Sequence, residues 1–138
     1  MTVLVTGAAG FIGSHVAGAL LDRGERVVGL DNLNAYYDPA LKRARLEPLQ
    51  AREGFAFHKA DAHLPEAVNT VVDRHPDIDR MIHLAAQAGV RYSLENPWAY
   101  IDANVHAQVT VMEAARRLPA LRHMVYASSS SVYGGNTK

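Results

Sequence analysis

Apolar residues along this chain fall into two alternating patterns, short β-rich runs and longer segments with helical spacing. The short runs end at glycine, aspartate or other polar residues, as strands do, whereas the longer segments repeat apolar residues every three or four positions, as helices do. Five strands are predicted, at 3–5, 27–30, 55–58, 80–84 and 123–127. Four helices are predicted between them, at 11–23, 38–51, 64–75 and 97–118.

This alternation predicts an α/β fold. Strand–helix–strand units with right-handed crossovers build a parallel sheet with helices on both faces, so we expect a doubly wound, Rossmann-type sheet. The strands are short and apolar, which is typical of strands buried on both faces. We expect residues 1–138 to form one domain, truncated after the fifth strand. Ligands of such sheets bind beyond the carboxyl ends of the strands, where polar residues occur here.

Composition excludes several classes of function. The 14 basic and 14 acidic residues give a formal net charge of zero, so no basic face for nucleic acid is expected. There is no cysteine, which excludes disulfides and thiolate metal sites. No stretch approaches the roughly 18 apolar residues of a membrane helix, and no signal peptide precedes the first strand, so we expect a cytoplasmic protein. The 7 histidines lack metal-ligand spacing, and no metal is predicted.

A glycine-rich turn follows the first predicted strand and opens the first predicted helix. Gly7, Gly10 and Gly13 have G-x-x-G-x-x-G spacing, which permits a tight turn, close approach of the backbone to a pyrophosphate, and close packing of helix on strand. The N-terminus of the helix also offers N–H groups and a positive dipole end to phosphates. A tight turn without a ligand is the alternative that the loop alone leaves open.

Asp31, which ends the second predicted strand, favours a dinucleotide. A carboxylate at this place accepts hydrogen bonds from the adenosine ribose hydroxyls, and it repels a 2′-phosphate, so NAD is favoured over NADP. The alternative is that Asp31 only caps or turns the chain at 31–34. Asp61, which follows the third strand, could reach the adenine edge or could cap the helix that begins near Leu64.

Three motifs resemble those of the extended short-chain dehydrogenase/reductase family. They are the glycine segment 6–13, the fourth-strand segment 83–86 and the serine segment 128–134. Segments 31–39, 85–93 and 133–138 are most similar to the UDP-glucuronate 4-epimerase branch of the NAD-dependent epimerases. The resemblance covers nearly the whole chain but only the first two-fifths or so of a family enzyme.

The resemblance implies NAD as the cofactor and a UDP-uronate sugar nucleotide as the substrate. In this family NAD takes a hydride from C4 of the sugar, the transient 4-ketose turns over, and the hydride returns to the opposite face. A tyrosine phenolate is the base, a lysine lowers the pKa of that tyrosine, and a serine or threonine holds the C4 oxygen. Ser129 is the residue of this chain that the resemblance places in the last role.

Further site residues are implied by the same resemblance. Ser130 and Ser131 are expected to face the sugar, where dehydratases carry Asp-Glu, so epimerisation is favoured over dehydration. Each serine could instead satisfy local turn backbone. Arg91 is expected to bind the uronate or the diphosphate, unless it is a solvated surface residue. The implied cofactor-binding residues are Gly7, Gly10, Phe11, Ile12, Gly13, Asp31, Asn32, Asn34, Asp61, Ala62, Leu84, Ala85, Ala86, Gln87, Asn104 and Ser128.

The chain departs from the family at the catalytic base. None of its 6 tyrosines is followed by a lysine four positions later, and the family places its Tyr-x-x-x-Lys beyond Lys138. We therefore expect a fragment, a truncated reading frame or half of a split enzyme, without epimerase activity alone. Relatives dimerise through a helical bundle, so a homodimer through helix 97–118, or a missing C-terminal half, is expected. An isolated NAD-binding module, or a dehydratase or reductase of the same fold, are the alternatives.

Overall fold

The computed structural model, which describes residues 1–135, contains one parallel five-stranded sheet. Its strands are β1 (Thr2–Thr6), β2 (Arg26–Asp31), β3 (Phe55–Lys59), β4 (Arg80–His83) and β5 (His123–Tyr126). They lie in the order β3-β2-β1-β4-β5, and all neighbouring pairs are parallel. The chain extends the sheet to one side of β1 with β2 and β3 and then to the other side with β4 and β5. The predicted doubly wound sheet is confirmed, with its switch point at β1 and β4.

The helices lie on both faces of the sheet. They are α1 (Phe11–Asp22), α2 (Pro39–Gln50), α3 (Pro65–Arg74), α4 (Pro97–Ile101) and α5 (Ala107–Arg117). A π-helical turn, Asp102–His106, joins α4 to α5, so the predicted long helix is present but is interrupted. Proline begins α2, α3 and α4, because its fixed φ and missing N–H suit the first helical position. No helix in residues 1–135 has both the length and the apolar character required to cross a bilayer.

The alternation of side chains along β1 divides the core into two layers. Val3 and Val5 point to the face covered by α1 and α2, and Leu4 points to the face covered by α3 and α5. All five residues of β1 are buried. The central strand is thus covered on both faces, as the sequence predicts, and its end is a rigid support for the loops that follow.

The outer strands are less buried than the sequence pattern predicts. β5 was expected to be a buried strand, but Val125 is 46% exposed and Tyr126 is 56% exposed. Within residues 1–135, β5 is hydrogen-bonded to β4 alone, and only Met124 packs against the layer that contains α3 and α5. The side chains of β3 are also half-exposed, because β3 forms the other edge of the sheet.

Candidate functional site

A cleft opens at the carboxyl ends of β1, β2 and β4. The loops after β1, β2, β3 and β4 form its walls, together with the small side chains of Ala103 and Ala107. Eleven of the sixteen residues predicted to bind a cofactor line it: Gly7, Gly10, Asp31, Asn32, Asn34, Asp61, Ala62, Leu84, Ala85, Ala86 and Gln87. The structure therefore brings most of the predicted cofactor-binding residues together in one cavity at the switch point of the sheet.

The glycine turn has the geometry that its spacing predicts. Gly7 has φ +72°, and its carbonyl accepts a hydrogen bond from Gly10 N at 2.9 Å, which closes a tight turn. A Cβ on Gly7 would lie 2.9 Å from Ala85 N, and a Cβ on Gly13 would lie 2.0 Å from the Gly7 carbonyl oxygen. Glycines at 7 and 13 thus let α1 and the end of β4 pack directly on the turn.

Asp31, at the end of β2, is hydrogen-bonded to the glycine turn. Its Oδ2 accepts a hydrogen bond from Ala9 N at 3.1 Å, and its Oδ1 accepts one from Leu33 N at 2.8 Å. The second contact is an Asx turn, so Asp31 does shape the chain at 31–34, and its role toward a ribose stays a prediction. A carboxylate has about four acceptor positions. Since Lys42 takes a third, Asp31 retains acceptor capacity while it lines the cleft.

Lys42 is a cleft residue that the sequence prediction missed. Its ammonium group donates to Asp31 Oδ1 at 3.2 Å and to Asn34 Oδ1 at 3.1 Å, and the Lys42 side chain is only 9% exposed. Lysine is seldom buried without such a partner. The signal in the sequence is its position, because Lys42, Leu46 and Leu49 share the buried face of α2 at helical spacing. These bonds use two of the three N–H groups of the ammonium group.

Asn32 and Asp61 form a second polar pair in the lining of the cleft. Asp61 Oδ2 accepts a hydrogen bond from Asn32 Nδ2 at 3.0 Å, and Asp61 Oδ1 accepts one from His63 Nδ1 at 2.7 Å. Burial opposes ionisation of Asp61, but these hydrogen bonds outweigh it and hold its pKa below the usual value. The helix-cap interpretation of Asp61 is wrong, because the cap residue of α3 is Leu64 and it makes no side-chain cap hydrogen bond.

Thr6 and His83 lie under Leu84 and Ala85, which line the cleft, and Thr6 holds these two residues in place. The Thr6 hydroxyl accepts hydrogen bonds from Leu84 N and Ala85 N, each at 3.1 Å, so its own proton is donated to His83 Nδ1 at 2.6 Å. His83 Nδ1 is therefore an acceptor, and the ring is neutral with its proton on Nε2. Burial lowers the pKa of His83, in agreement with this tautomer. His83 is therefore a buried structural histidine.

The buried neutral His83 makes stability depend on pH. Its pKa in the folded chain lies below the unfolded value near 6.5, so the unfolded chain binds the proton first as the pH falls. The contribution of His83 to the free energy of unfolding is complete above about pH 6.5 and is lost as the pH falls below that value. Burial shifts the pKa of His58 and His75 in the same direction, so they add to this loss.

The measurement is urea unfolding at about pH 7.5 and about pH 5.5, where carboxylates stay ionised in both states. The wild-type chain is expected to lose stability at the lower pH. The variant His83→Asn, which keeps a side-chain acceptor but does not titrate, is expected to lose less. An equal loss in both chains would contradict the neutral-His83 account.

The π-helical turn directs Asn104 to the loop after β4. Asn104 Oδ1 accepts a hydrogen bond from Gln87 N at 2.8 Å, and Asn104 Nδ2 donates to Gln87 O at 3.1 Å. The Asn104 side chain thus supplies hydrogen-bond partners for both the N–H and the C=O group of Gln87, which lies in a loop and has no strand or helix partner for them. Asn104 does not line the cleft. It holds in place a residue that does, and π turns of this kind are frequent at functional sites.

The other predicted residues lie outside the cleft lining. Phe11 and Ile12 have exposed side chains in the first turn of α1, where backbone N–H groups lack intrahelical partners. Gly13 lies beneath the turn. Arg91, which begins a 3₁₀ turn (Arg91–Leu94), is exposed. Ser128 is exposed after β5.

The serine segment is arranged as a local turn in this structure. Ser129 Oγ accepts a hydrogen bond from Ser131 N at 3.2 Å and donates to Ser131 Oγ at 3.1 Å, so it caps the 3₁₀ turn Ser130–Tyr133. The local-backbone interpretation is confirmed for Ser129, and its catalytic role stays a prediction. Residues 136–138 of the predicted motif lie outside the described residues. Within 1–135, no group of three or more His, Asp or Glu could hold a metal ion.

Comparison with known proteins gives the family. The sequence model described as "NAD dependent epimerase/dehydratase family" matches residues 3–138. The chain belongs to this family. UDP-glucuronate 4-epimerase 4 of Arabidopsis thaliana is 48% identical over 138 residues, which are 100% of this chain and 31% of that protein.

Solved structures of epimerases are similar to this family member in fold. UDP-glucuronic acid 4-epimerase from Bacillus cereus, in complex with UDP-glucuronic acid and NAD, has a TM-score of 0.86 and 33% identity over 100% of this chain. UDP-glucose 4-epimerase from Thermus thermophilus, in complex with NAD, has a TM-score of 0.77 and 34% identity over 94% of this chain. This chain covers 43% and 38% of those two chains. The epimerase/dehydratase family chain therefore spans less than half the length of these relatives.

Proposed function

We propose that this chain is the NAD-binding portion of a nucleotide-sugar 4-epimerase whose substrate is a UDP-uronate. The observation that carries the proposal is the cleft at the switch point, which is lined by the glycine turn, by Asp31 and by Lys42. Relatives whose names state NAD and UDP-glucuronic acid support the cofactor and the substrate class.

The donors and acceptors of the cleft fit a dinucleotide. The backbone of the turn at Gly7 and Gly10, with the first turn of α1, would hold the pyrophosphate. Asp31 has one acceptor position left on Oδ2 and Lys42 has one N–H left, which matches the two hydroxyls of the adenosine ribose. Asp61 and Ala62 would border the adenine, and Leu84 to Gln87 would pass under the rest of the cofactor.

The charge of the cleft favours NAD over NADP. Asp31 and Asp61 are carboxylates, and the ammonium group of Lys42 offsets only one of them. A 2′-phosphate beside Asp31 would bring about two further negative charges into a partly buried, net negative environment.

The chemistry of the proposed reaction is divided between the cofactor and the chain. NAD, when bound, supplies the hydride acceptor and donor. Ser129 would hold the sugar C4 oxygen, Ser130 and Ser131 would face the sugar, and Arg91 would bind its carboxylate or diphosphate. Since residues 1–138 contain no Tyr-x-x-x-Lys, they supply no base for the proton of the C4 hydroxyl, and we propose that they do not catalyse epimerisation by themselves.

A chimeric enzyme tests this proposal. Residues 1–138 replace the matching part of the Bacillus cereus epimerase, and the interconversion of UDP-glucuronate and UDP-galacturonate is followed by NMR. The chimera is expected to turn over, the 138-residue chain is not, and Ser129→Ala in the chimera is expected to lower kcat at least about tenfold. A chimera that binds NAD without epimerising UDP-glucuronate would contradict the assignment. Release of water from the sugar would favour the dehydratase alternative.

We also propose that the helix at 97–117 carries an assembly surface. Its exposed apolar side chains recur every three or four residues: Trp98, Ile101, Val105, Val109 and Met112. Such a stripe is typical of helices that pack against a partner helix. A second copy of the chain is the favoured occupant, and the remainder of a longer parent is the alternative. Sedimentation of the wild type and of Val105→Lys with Met112→Lys tests this, and a monomeric wild type would exclude the homodimer.

A further inference from the structure

Four tyrosines from three elements meet at the edge of the cleft (the tyrosine cluster), and two of them, Tyr36 and Tyr37, line it. Tyr36 and Tyr37 come from the loop after β2, Tyr92 comes from the 3₁₀ turn Arg91–Leu94, and Tyr100 comes from α4. The ring centroid of Tyr36 lies 4.7 Å from that of Tyr37 and 5.0 Å from that of Tyr92, which lies 6.3 Å from that of Tyr100. Aromatic pairs at such distances contribute attraction beyond their buried area. The cluster therefore joins two loops that border the cleft.

Gly89 is the backbone position that this cluster requires. It has φ +86°, and a Cβ built on it would lie 2.5 Å from the Tyr36 hydroxyl oxygen. The Tyr100 hydroxyl donates towards the carbonyls of Ala88 and Gly89. The Tyr100 phenol is protonated at neutral pH and therefore acts as a donor. A side chain at 89 would displace Tyr36 and strain the backbone.

Three sets of contacts hold the loop after β4, and each set joins it to a different part of the chain. The Thr6 hydroxyl ties its first residues to β1, and Asn104 ties Gln87 to the π turn. Only the tyrosine cluster, among these three, ties it to the loop after β2, which carries Asn32 and Asn34 and lines the cleft. Arg91 directly precedes Tyr92, so its position depends on the cluster.

We propose that the tyrosine cluster is a latch that fixes the segment with Arg91 beside the cleft, and that a bound dinucleotide tightens the latch through the loop after β2. The second half rests on the proposed function. Tyr36, Tyr92 and Tyr100 are positioning residues in this account, since they act through the segment that contains Arg91.

Trypsin cleavage after Arg91, followed by mass spectrometry on the folded chain, measures how often this segment opens. Tyr36→Ala and Gly89→Ala are expected to be cleaved there at least about tenfold faster than the wild type. The urea midpoint of Tyr36→Ala is expected to change little, because Tyr36 is itself 37% exposed. Tyr36→Phe keeps the ring and is expected to restore slow cleavage. Gly24→Ala is the control for backbone strain, since Gly24 has φ +76° and open space around it.

Equal cleavage after Arg91 in the wild type, Tyr36→Ala and Gly89→Ala would overturn the latch. Saturating NAD is expected to slow this cleavage in the wild type and to have less effect in Tyr36→Ala. Cleavage that NAD does not slow, in a chain shown by calorimetry to bind NAD, would overturn the coupling. If the wild type binds no NAD, the proposed function fails, and the comparison without nucleotide still decides whether the latch exists.

Discussion

Replacement of Gly13 by alanine is expected to destabilise the folded chain by about 3 kcal/mol, the upper end of the usual cost of overpacking. The new Cβ would lie 2.0 Å from the Gly7 carbonyl oxygen and 2.7 Å from its carbon, and these backbone atoms cannot rotate away as a side chain would. Relief requires α1 to move off the sheet, although Ala17 and Leu21 of α1 are buried in the core. The shift of the urea unfolding midpoint measures this loss.

Gly18→Ala is the matched control for Gly13→Ala. It makes the same substitution in the same helix, but its Cβ would lie 3.9 Å from Leu49 Cδ2, an ordinary contact distance. Alanine is favoured over glycine inside a helix by roughly 1 kcal/mol, so Gly18→Ala is expected to keep or raise stability. If the two variants unfold at the same urea concentration, α1 does not pack on the turn as described.

Replacement of Asp31 by alanine is expected to weaken NAD binding by about tenfold to a hundredfold. Hydrogen bonds to a charged group contribute roughly 1.5–3 kcal/mol, and the carboxylate also anchors the glycine turn through Ala9 N. Calorimetric titration measures the affinity. Asp73→Ala is the control, because it removes the same charge from an exposed pair with Arg117 and is expected to leave affinity unchanged.

Asp31→Ala also leaves the buried ammonium group of Lys42 without its carboxylate. Loss of one partner of a buried pair costs about 3–5 kcal/mol, so this variant is expected to be unstable as well as weak in binding. The double variant Asp31→Asn with Lys42→Met removes both charges at similar volume. It is expected to recover part of the stability but not NAD affinity, because the amide oxygen of Asn can accept from only one of Ala9 N and Leu33 N. Recovery of both would show that Asp31 supports the fold and does not bind the ribose.

The sequence predicts those parts of the site that depend on short-range spacing. Gly7 lies where the turn must be tight, Gly13 lies where α1 must approach the turn closely, and Asp31 lies where β2 ends. Each of these requirements can be recognised from a few neighbouring residues of the sequence. The doubly wound parallel sheet also follows from alternation and from the fixed handedness of crossovers. The structure has these features where the sequence predicts them.

The remainder of the site depends on contacts between segments that are distant in sequence. Lys42 is of a residue type that is usually exposed, so its place on the buried face of α2 does not by itself predict a buried charge. The two partners that stabilise the buried ammonium group, Asp31 and Asn34, are brought to it only by the fold. Asn104 is unusual within a helix on propensity grounds, but the π turn that directs it to Gln87 leaves no periodic signal. The exposure of β5 depends on what neighbours it in the sheet and not on its own apolar pattern.

The central claim is that the cleft binds NAD and distinguishes it from NADP. Calorimetric titration of the purified 138-residue chain with both nucleotides tests it most directly. NAD is expected to bind at least about tenfold more tightly than NADP, since a 2′-phosphate beside Asp31 meets a net negative environment. Equal or tighter binding of NADP, or no binding of either nucleotide to the folded chain, would contradict the account.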